Sequence, residues 1–597
     1  MEKINQIRLK GGYLVLIVFI LLFYSLYGCK IKSNLLYEHN REIFKILNTI
    51  IDTTKNDFLR ETSSYLITHD SNLPENLNAN DFLVNYLSVI ENSKKKSWTG
   101  SIGPKEFCEY LLPPLYPSDW NSNWRKQIHQ IALNVVDSVK SDHFDTLNNN
   151  ELITNILNNK DIQFSRTGAE YYSSFRQLIS STSLDCNGLT SIGVYIYRSL
   201  HIPCAFDFTP QWGNYHDKHF WGTIVRLNKP NLTFNVHPDR IPPFNFDWSH
   251  DRKFSKVYRK TFSVNQNSHR MLYGYNHNLP SLFNNPLIKD VSGEYNEVSR
   301  AEVVMNDNRG DKKVIYLSVF DNQDWVLVGW SDSIQKQNVI FESVFDSVVY
   351  LPQKVYKEDF QPVDYPFFMY KGLKYTFIPE YDSLQSVVLS RKFSLEDRRK
   401  LILERSRGGR FEGSNDSSFT KVTELFRIDS TLEAHGYEFL VKKNEKVRYL
   451  RYIGTDSSYC NIAEISFFDK LGNKVLGKII GNEPNSSINE AFDDNPLTYY
   501  QSSEPNDSWI GLGLEKPKQI HKIRMYPRSD LNGIEINDTY ELFYWDEKWI
   551  SLGRKIAAKN KLIYENVPKN SLLLLRNLSS GIEERIFSYH NNTQYFF

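Results

Sequence analysis

Two side chains, Cys186 and His219, have sequence surroundings that could support nucleophilic chemistry. Asp185-Cys186-Asn187-Gly188 precedes an apolar run holding Leu189, Ile192, Val194, Ile196 and Leu200, which is long enough for a helix and stops before Pro203. Such a start puts Cys186 at a helix N-terminus. There the dipole and the unpaired backbone N–H groups favour a thiolate, and the same groups can hold an oxyanion. A thiol nucleophile also needs a base. His219 lies in Lys218-His219-Phe220-Trp221-Gly222-Thr223-Ile224-Val225, a strand pattern that can present an imidazole from a neighbouring element. The next strand, Leu232-Thr233-Phe234-Asn235-Val236, runs into His237-Pro238-Asp239 and offers Asn235 and Asp239 as the amide or carboxylate that orients the ring.

Asp185-Cys186 opening a helix, Arg198-Ser199-Leu200-His201-Ile202-Pro203 at its end, and His219 before an aromatic pair on a strand together resemble the transglutaminase-like superfamily of papain-type Cys-His-Asp enzymes. The resemblance runs from Asp185 to Asp239. It implies that Cys186 attacks an amide carbonyl and that His219 serves as base and then acid. Family members place an Asp at the end of the strand after the His strand, often directly before Pro, where this chain has His237 before Pro238. Asp239 is expected as the third member, with Asn235 as the alternative that would give a Cys-His-Asn set. The superfamily includes proteases and peptide N-glycanase-like amidases, so a peptidase, amidase or transglutaminase is implied, and abundant extracellular water favours hydrolysis over crosslinking. Cys204, entering the strand pattern Ala205-Phe206-Asp207-Phe208, reads as an inert buried thiol, and His201 and His216 as ordinary surface or core histidines. Cys108, Cys186, Cys204 and Cys460 show no Cys-x-x-Cys spacing, which argues against a zinc site.

Location is suggested by the N-terminus. Lys3, Arg8 and Lys10 precede an uncharged run from Tyr13 to Leu26, then Tyr27-Gly28-Cys29, which reads as a secretion signal over residues 1–28, rather short to span a bilayer. Leu26-Tyr27-Gly28-Cys29 resembles a bacterial lipobox, which implies lipidation of Cys29 and a bacterial envelope protein, periplasmic or at the cell surface. The other reading is an uncleaved anchor helix. Either way the membrane is an expected partner and the body works outside the cytoplasm.

The elements that must position these residues belong to a long, mixed chain. Its 597 residues allow several domains, and Lys plus Arg at 71 against Asp plus Glu at 70 leave no field that would draw it to nucleic acid. Aromatic residues make up 14% while there are only five Cys, so burial rather than a disulfide framework must hold it together. Apolar stripes at Ile43-Leu47-Ile50, Leu83-Leu87-Ile90 and Ile128-Ile131-Val135-Val139 predict a helical region over 37–160, interrupted at Leu112-Pro113-Pro114-Leu115. The catalytic residues fall in an α+β domain over 165–265. Residues 313–320 and 325–330 predict a hairpin within a small β-sandwich over 287–364. The expected fold class is thus multidomain α+β, ending in β modules.

In the last third, Ala491-Phe492-Asp493-Asp494-Asn495-Pro496-Leu497-Thr498, Trp509-Ile510-Gly511-Leu512-Gly513-Leu514, Ile520-His521-Lys522-Ile523-Arg524, Tyr540 to Tyr544 and Trp549 to Gly553 resemble a discoidin, or coagulation-factor type C, jelly roll over 479–597. Gly409 to Asp416, Arg448 to Tyr452 and Ala463-Glu464-Ile465 are similar to parts of a second, divergent copy over 365–478. The resemblance implies glycan- or protein-binding modules and a structural Ca²⁺ held by Asp493, Asn495 and Thr498, a hard-oxygen set; no cofactor is expected for catalysis. Two functions follow. One is an anchored thiol enzyme acting on amide bonds of a protein or glycoprotein substrate, with glycan-binding modules. The other is a non-catalytic glycan- or protein-binding surface lipoprotein on an inactive transglutaminase-like fold.

Overall fold

The computed structural model describes residues 41–597 apart from 70–72, 75–76, 95–101, 136–145, 166–171, 227–228, 239–244, 246–251, 306–313, 357–358, 396, 457, 483–485 and 581–582. The signal-like segment, Cys29 and Asp239 therefore lie outside the described residues. Among the described residues no helix is long and apolar enough to cross a membrane. With 37% strand against 23% helix the chain is a β-rich, multidomain α+β protein. It divides into two compact units, one of residues up to Trp212, Asp217–Trp248 and Phe254–Val298, the other of Gly213–His216, Ser249–Lys253 and Ser299–Phe597.

The first unit begins with helices whose apolar stripes face one core. Arg41–Thr53 buries Ile43, Ile46, Leu47 and Ile50. Asp57–Thr68 starts at Asn56, whose side chain accepts the Leu59 N–H and so satisfies one orphan donor of the first turn. These helices pack with Ala79–Lys94 and Pro104–Tyr110 around Phe82, Tyr86, Phe107 and Trp120. Helical structure then stops at the Leu112–Leu115 stretch, where the two prolines cannot donate. A second core, containing Trp124, Ile128, Ile156, Leu157, Tyr195 and Tyr197, joins Trp124–Val135 and Thr146–Asn159 to the helix Cys186–Ser199.

That helix lies on a five-stranded antiparallel sheet with the order Leu232–Phe234, His219–Ile224, Cys204–Thr209, Tyr258–Lys260, Ile288–Asp290. Ile288–Asp290, expected to open the small sandwich, instead extends this sheet by pairing with Tyr258–Lys260. Two glycines allow the helix to approach. A Cβ on Gly222 would overlap the Phe234 ring opposite it, and one on Gly193 of the helix would come within 2.9 Å of the same ring. On the other side of the sheet, Asp207 is fully buried and takes two hydrogen bonds of 2.8 Å from Arg259 and one from the Thr223 hydroxyl at 2.8 Å. Tyr295 donates to the same carboxylate and accepts the Trp221 indole N–H at 2.7 Å. Removing one partner of such a buried pair costs about 3–5 kcal/mol, because the other charge is left uncompensated.

The second unit is almost entirely β. Val298–Val304, Ser333–Gln335 and Asn338–Phe345 form a three-stranded sheet, and a six-stranded sheet runs on to Leu373–Thr376, past the expected end at 364. It contains the hairpin Tyr316–Asp321/Asp324–Trp330, whose turn uses Asn322 at φ 60°, a left-handed position that Asn tolerates. Next comes an eight-stranded sandwich. Its five-stranded sheet has the order Thr423–Arg427, Arg410–Ser414, Lys446–Ile453, Trp509–Gln519, Lys478–Gly481, and its three-stranded sheet has Tyr437–Leu440, Lys522–Tyr526, Glu464–Phe468. One core holding Phe411, Leu450, Phe467, Ile510 and Ile523 fills it.

The expected division at residue 478 therefore differs from the structure. Lys446–Ile453 pairs with Trp509–Gln519 and Glu464–Phe468 with Lys522–Tyr526, so the segments that resemble two jelly rolls supply strands to one. The remaining strands, from Thr539–Asp546 to Thr593–Phe596, form a separate five-stranded sheet, and Leu562–Lys569 pairs with Glu380–Leu389 from before the sandwich.

The glycine pair makes a direct test. Gly222→Ala should lower unfolding stability by about 1–3 kcal/mol through overpacking against Phe234, measured by urea denaturation. Phe234→Leu added to it should restore part of the loss, and a neutral Gly222→Ala would refute this packing.

Candidate active site

Cys186 is the first residue of its helix, and the side chain of Asp185 caps it by accepting the Gly188 N–H at 2.9 Å. The Tyr172 hydroxyl donates to the same Asp185 oxygen at 3.1 Å. One turn on, the Thr190 hydroxyl donates to the Phe220 carbonyl at 3.1 Å, and the Phe220 N–H is among the groups that favour the Cys186 thiolate. The start of the helix is thus tied to the Phe220 residue, next to His219. Residues alternate along the strand, so Phe220 and Gly222 face the helix and its core while His219 and Trp221 face the other way.

His219 is held from two directions. Its Nε2 lies 3.3 Å from the Oδ1 of Asn235, which directly follows the strand Leu232–Phe234. The Trp212 and Trp221 rings stack on the imidazole with centroids 5.7 and 6.0 Å away, and Phe254 packs against both indoles at 5.4 Å. Asp239, the expected third member, is not among the described residues. His237, in the place where family members carry Asp, stacks its ring 5.7 Å from Phe164, and its carbonyl accepts the Thr154 hydroxyl at 3.4 Å.

The electrostatics of the thiol depart from the sequence expectation. Burial, then the carboxylates of Asp185 and Asp217, push the Cys186 thiol up to about 12, against the opposing N–H groups of Phe220 and Asn187. The carboxylate that caps the helix also cancels much of what the helix start offers a thiolate. Near neutral pH such a thiol is uncharged. Cys204 is fully buried with its thiol pushed well up by burial, as suits an inert core residue. His216 pairs with Glu583 at 2.9 Å.

Sequence reasoning passed over the Phe220 backbone, Thr190, Trp212 and Asn187. Thr190 could have been found from its i+4 spacing to Cys186. Asn187 Oδ1 is buried with no hydrogen-bond partner among the described residues, which marks the residue after the thiol as polar surface facing inward.

In the second unit, the loop of Asp493, Asn495 and Thr498 closes on itself. Asp493 accepts the Asn495 N–H at 2.9 Å and the Thr498 hydroxyl at 2.8 Å, and Thr498 also donates to the Asn495 carbonyl at 2.7 Å. Asp494 pairs with Lys474 at 2.5 Å. Beside them Glu464, buried and next to Asp494 and Asp493, is pushed up to about 7, with Lys474 opposing. Among the described residues no group of three or more His, Cys, Asp or Glu side chains is arranged to hold a metal. The oxygen donors are of the type a hard cation takes, and the rise of Glu464 comes first from its burial, with Asp494 and Asp493 adding to it.

No protein-family model matches the chain, and no curated protein matches it in sequence.

A thiol held neutral makes its own test. Iodoacetamide labelling of Cys186 should climb steadily from pH 7 to beyond pH 10, since a raised pKa keeps the thiolate fraction small below it. Asp217→Asn removes one cause of the shift and should speed labelling at pH 9 severalfold. A labelling rate that levels off below pH 8 would show a thiolate already formed.

Proposed function

We propose that this protein is a thiol enzyme acting on amide bonds, of the peptidase, amidase or transglutaminase type, with Cys186 as nucleophile, His219 as general base and acid, and Asn235, or Asp239 outside the described residues, as the residue that positions the imidazole. The 3.3 Å approach of His219 Nε2 to Asn235 Oδ1, with Cys186 opening the helix whose Thr190 bonds the carbonyl of the residue beside His219, is the observation that supports it. As the sulfur bonds to the carbonyl carbon, its proton passes to the imidazole. The carbonyl oxygen takes up negative charge, which the first-turn N–H groups of the helix can stabilise. Collapse breaks the C–N bond, and the imidazolium protonates the departing amine. Water, deprotonated by His219, then releases the acid from the thioester and returns the thiol; an amine in its place would give transfer.

The lipobox-like Cys29 supports anchoring at a bacterial envelope membrane, with a protein or glycoprotein as substrate and the eight-stranded sandwich as a glycan- or protein-binding module. A second reading, a binding protein on an inactive fold, is favoured by the thiol pushed up to about 12 and by the strand alternation that turns His219 away from the face on which the Cys186 helix packs. Incubation with a mixed peptide library should discriminate: mass spectrometry should find cleaved or deamidated peptides with the unaltered chain and none with Cys186→Ala. Asn235→Ala should slow product formation about tenfold or more, because an orienting group acts only through the imidazole. Identical peptide profiles for the unaltered chain and Cys186→Ala would leave the binding reading.

The Asp493 loop supports a structural Ca²⁺ through Asp493, Asn495 and Thr498. Glu464 has a folded pKa of about 7, raised above its ordinary 4.5, so its contribution to stability is full below that ordinary value and is lost as pH rises through 7. Millimolar Ca²⁺ should therefore raise the melting temperature of the second unit more at pH 8 than at pH 5.5. No shift at either pH removes the cation from the reading.

A further inference from the structure

We infer that the second unit carries a saccharide-binding cleft apart from the discoidin-like sandwich, built by two β-hairpins that turn aromatic faces toward each other. The cleft has a volume of about 630 Å³, within the range of sites that bind small ligands. One wall is the hairpin Phe367–Tyr370/Leu373–Thr376, in which Phe368 pairs with Tyr375, so that Phe368, Tyr370 and Tyr375 share a face. The other is the hairpin Ile586–His590/Thr593–Phe596, in which Ser588 pairs with Tyr595, and Ser588, His590 and Tyr595 share a face. The Phe597 ring closes the floor, 4.8 Å from Phe368 and 5.4 Å from Phe377.

The chemistry of the lining selects the ligand. Tyr370, Tyr375 and Tyr595 are 43%, 50% and 48% exposed, an unusual amount for three rings around one hollow. They offer flat apolar faces at the surface; beside them the lining holds Phe rings together with the amides of Asn214 and Asn570 and four hydroxyl side chains. Asn570 is fixed by donating to the Ile378 carbonyl at 3.1 Å, and Asn214 Oδ1 accepts the Lys253 N–H at 2.7 Å, so both amides are held in place before any ligand arrives. Ser347, Ser394 and Ser588 add hydroxyls. A purely apolar ligand would cover the Ser347, Ser394 and Ser588 hydroxyls without offering them a partner, at a cost of about 1–3 kcal/mol each. A polyanion would find one Lys and one His in the lining, too little positive charge to hold it. A sugar ring combines an apolar C–H face with an edge of hydroxyls, and the cleft has room for about three of them by volume. The lining holds no Asp or Glu and no thiol, which makes it a binding site and not a second catalytic one.

The inference stands independently of the thiol chemistry, because every lining residue belongs to the second unit and Cys186 and His219 belong to the first. Isothermal titration of the full chain with cellohexaose, xylohexaose, mannohexaose and chitohexaose tests it. At least one should bind with a micromolar to low-millimolar Kd, and Tyr375→Ala or Tyr595→Ala should each weaken that binding about tenfold, the loss of one stacking face. Both rings are half exposed, so the variants should keep the parent melting temperature; Tyr375→Phe, which keeps the ring, should retain binding. No heat from any of the four at millimolar concentration would overturn the inference. So would binding that all three single Tyr→Ala variants, at 370, 375 and 595, leave unchanged.

Discussion

Phe234 occupies the space that side chains at Gly193 and Gly222 would need, and this substitution of one ring for two missing side chains fixes the distance between the Cys186 helix and its sheet. The rest of the candidate site depends on that distance. Only at this separation can the helix reach the Phe220 residue, with the Thr190 hydroxyl on its carbonyl. His219 follows by covalent geometry, one residue away on the same strand. The ring sits on a strand and not on a loop, and its partner Asn235 leaves the adjacent strand, so two hydrogen-bonded strands set the geometry of imidazole and amide.

The opposite face of the sheet gives the strands a second restraint of a different kind. The Asp207–Arg259 pair, with Thr223 and Tyr295 completing the hydrogen bonds, ties three neighbouring strands and the segment after them to one buried carboxylate. Apolar packing sets the spacing on the helix side, and directional hydrogen bonds set the register on the other. A buried charge satisfied on every side is weak evidence for stability but a strong constraint on alternative arrangements, since any slip leaves it unpaired. The indole of Trp221 reaches this network through Tyr295 and also stacks on His219, so the imidazole rests on a rigid support.

What could be read from the sequence was local. The stripe Ile43-Leu47-Ile50 and the break at Leu112–Leu115 depend on neighbours within a few residues, and both have the structure their pattern implies. Cys186 at a helix start was legible for the same reason. The thiol's raised pKa was not, because it depends on burial and on Asp217, brought close by the path of the chain before His219. Gly222 reads as a weak strand residue until its partner across the sheet is known to be Phe234. The single sandwich spanning residue 478 was hidden by the same limit: alternating aromatic and apolar residues mark strands but carry no information about which distant strand they join.

The neutral state of the Cys186 thiol bears on survival as well as on rate. Peroxides and disulfides react with thiolates and hardly at all with thiols, so a resting site without a thiolate offers oxidants little to attack. Cys108, Cys204 and Cys460 are all buried, leaving no ready thiol among the described residues to capture Cys186 in a disulfide. A thiol arranged in this way can persist where no reducing couple maintains it.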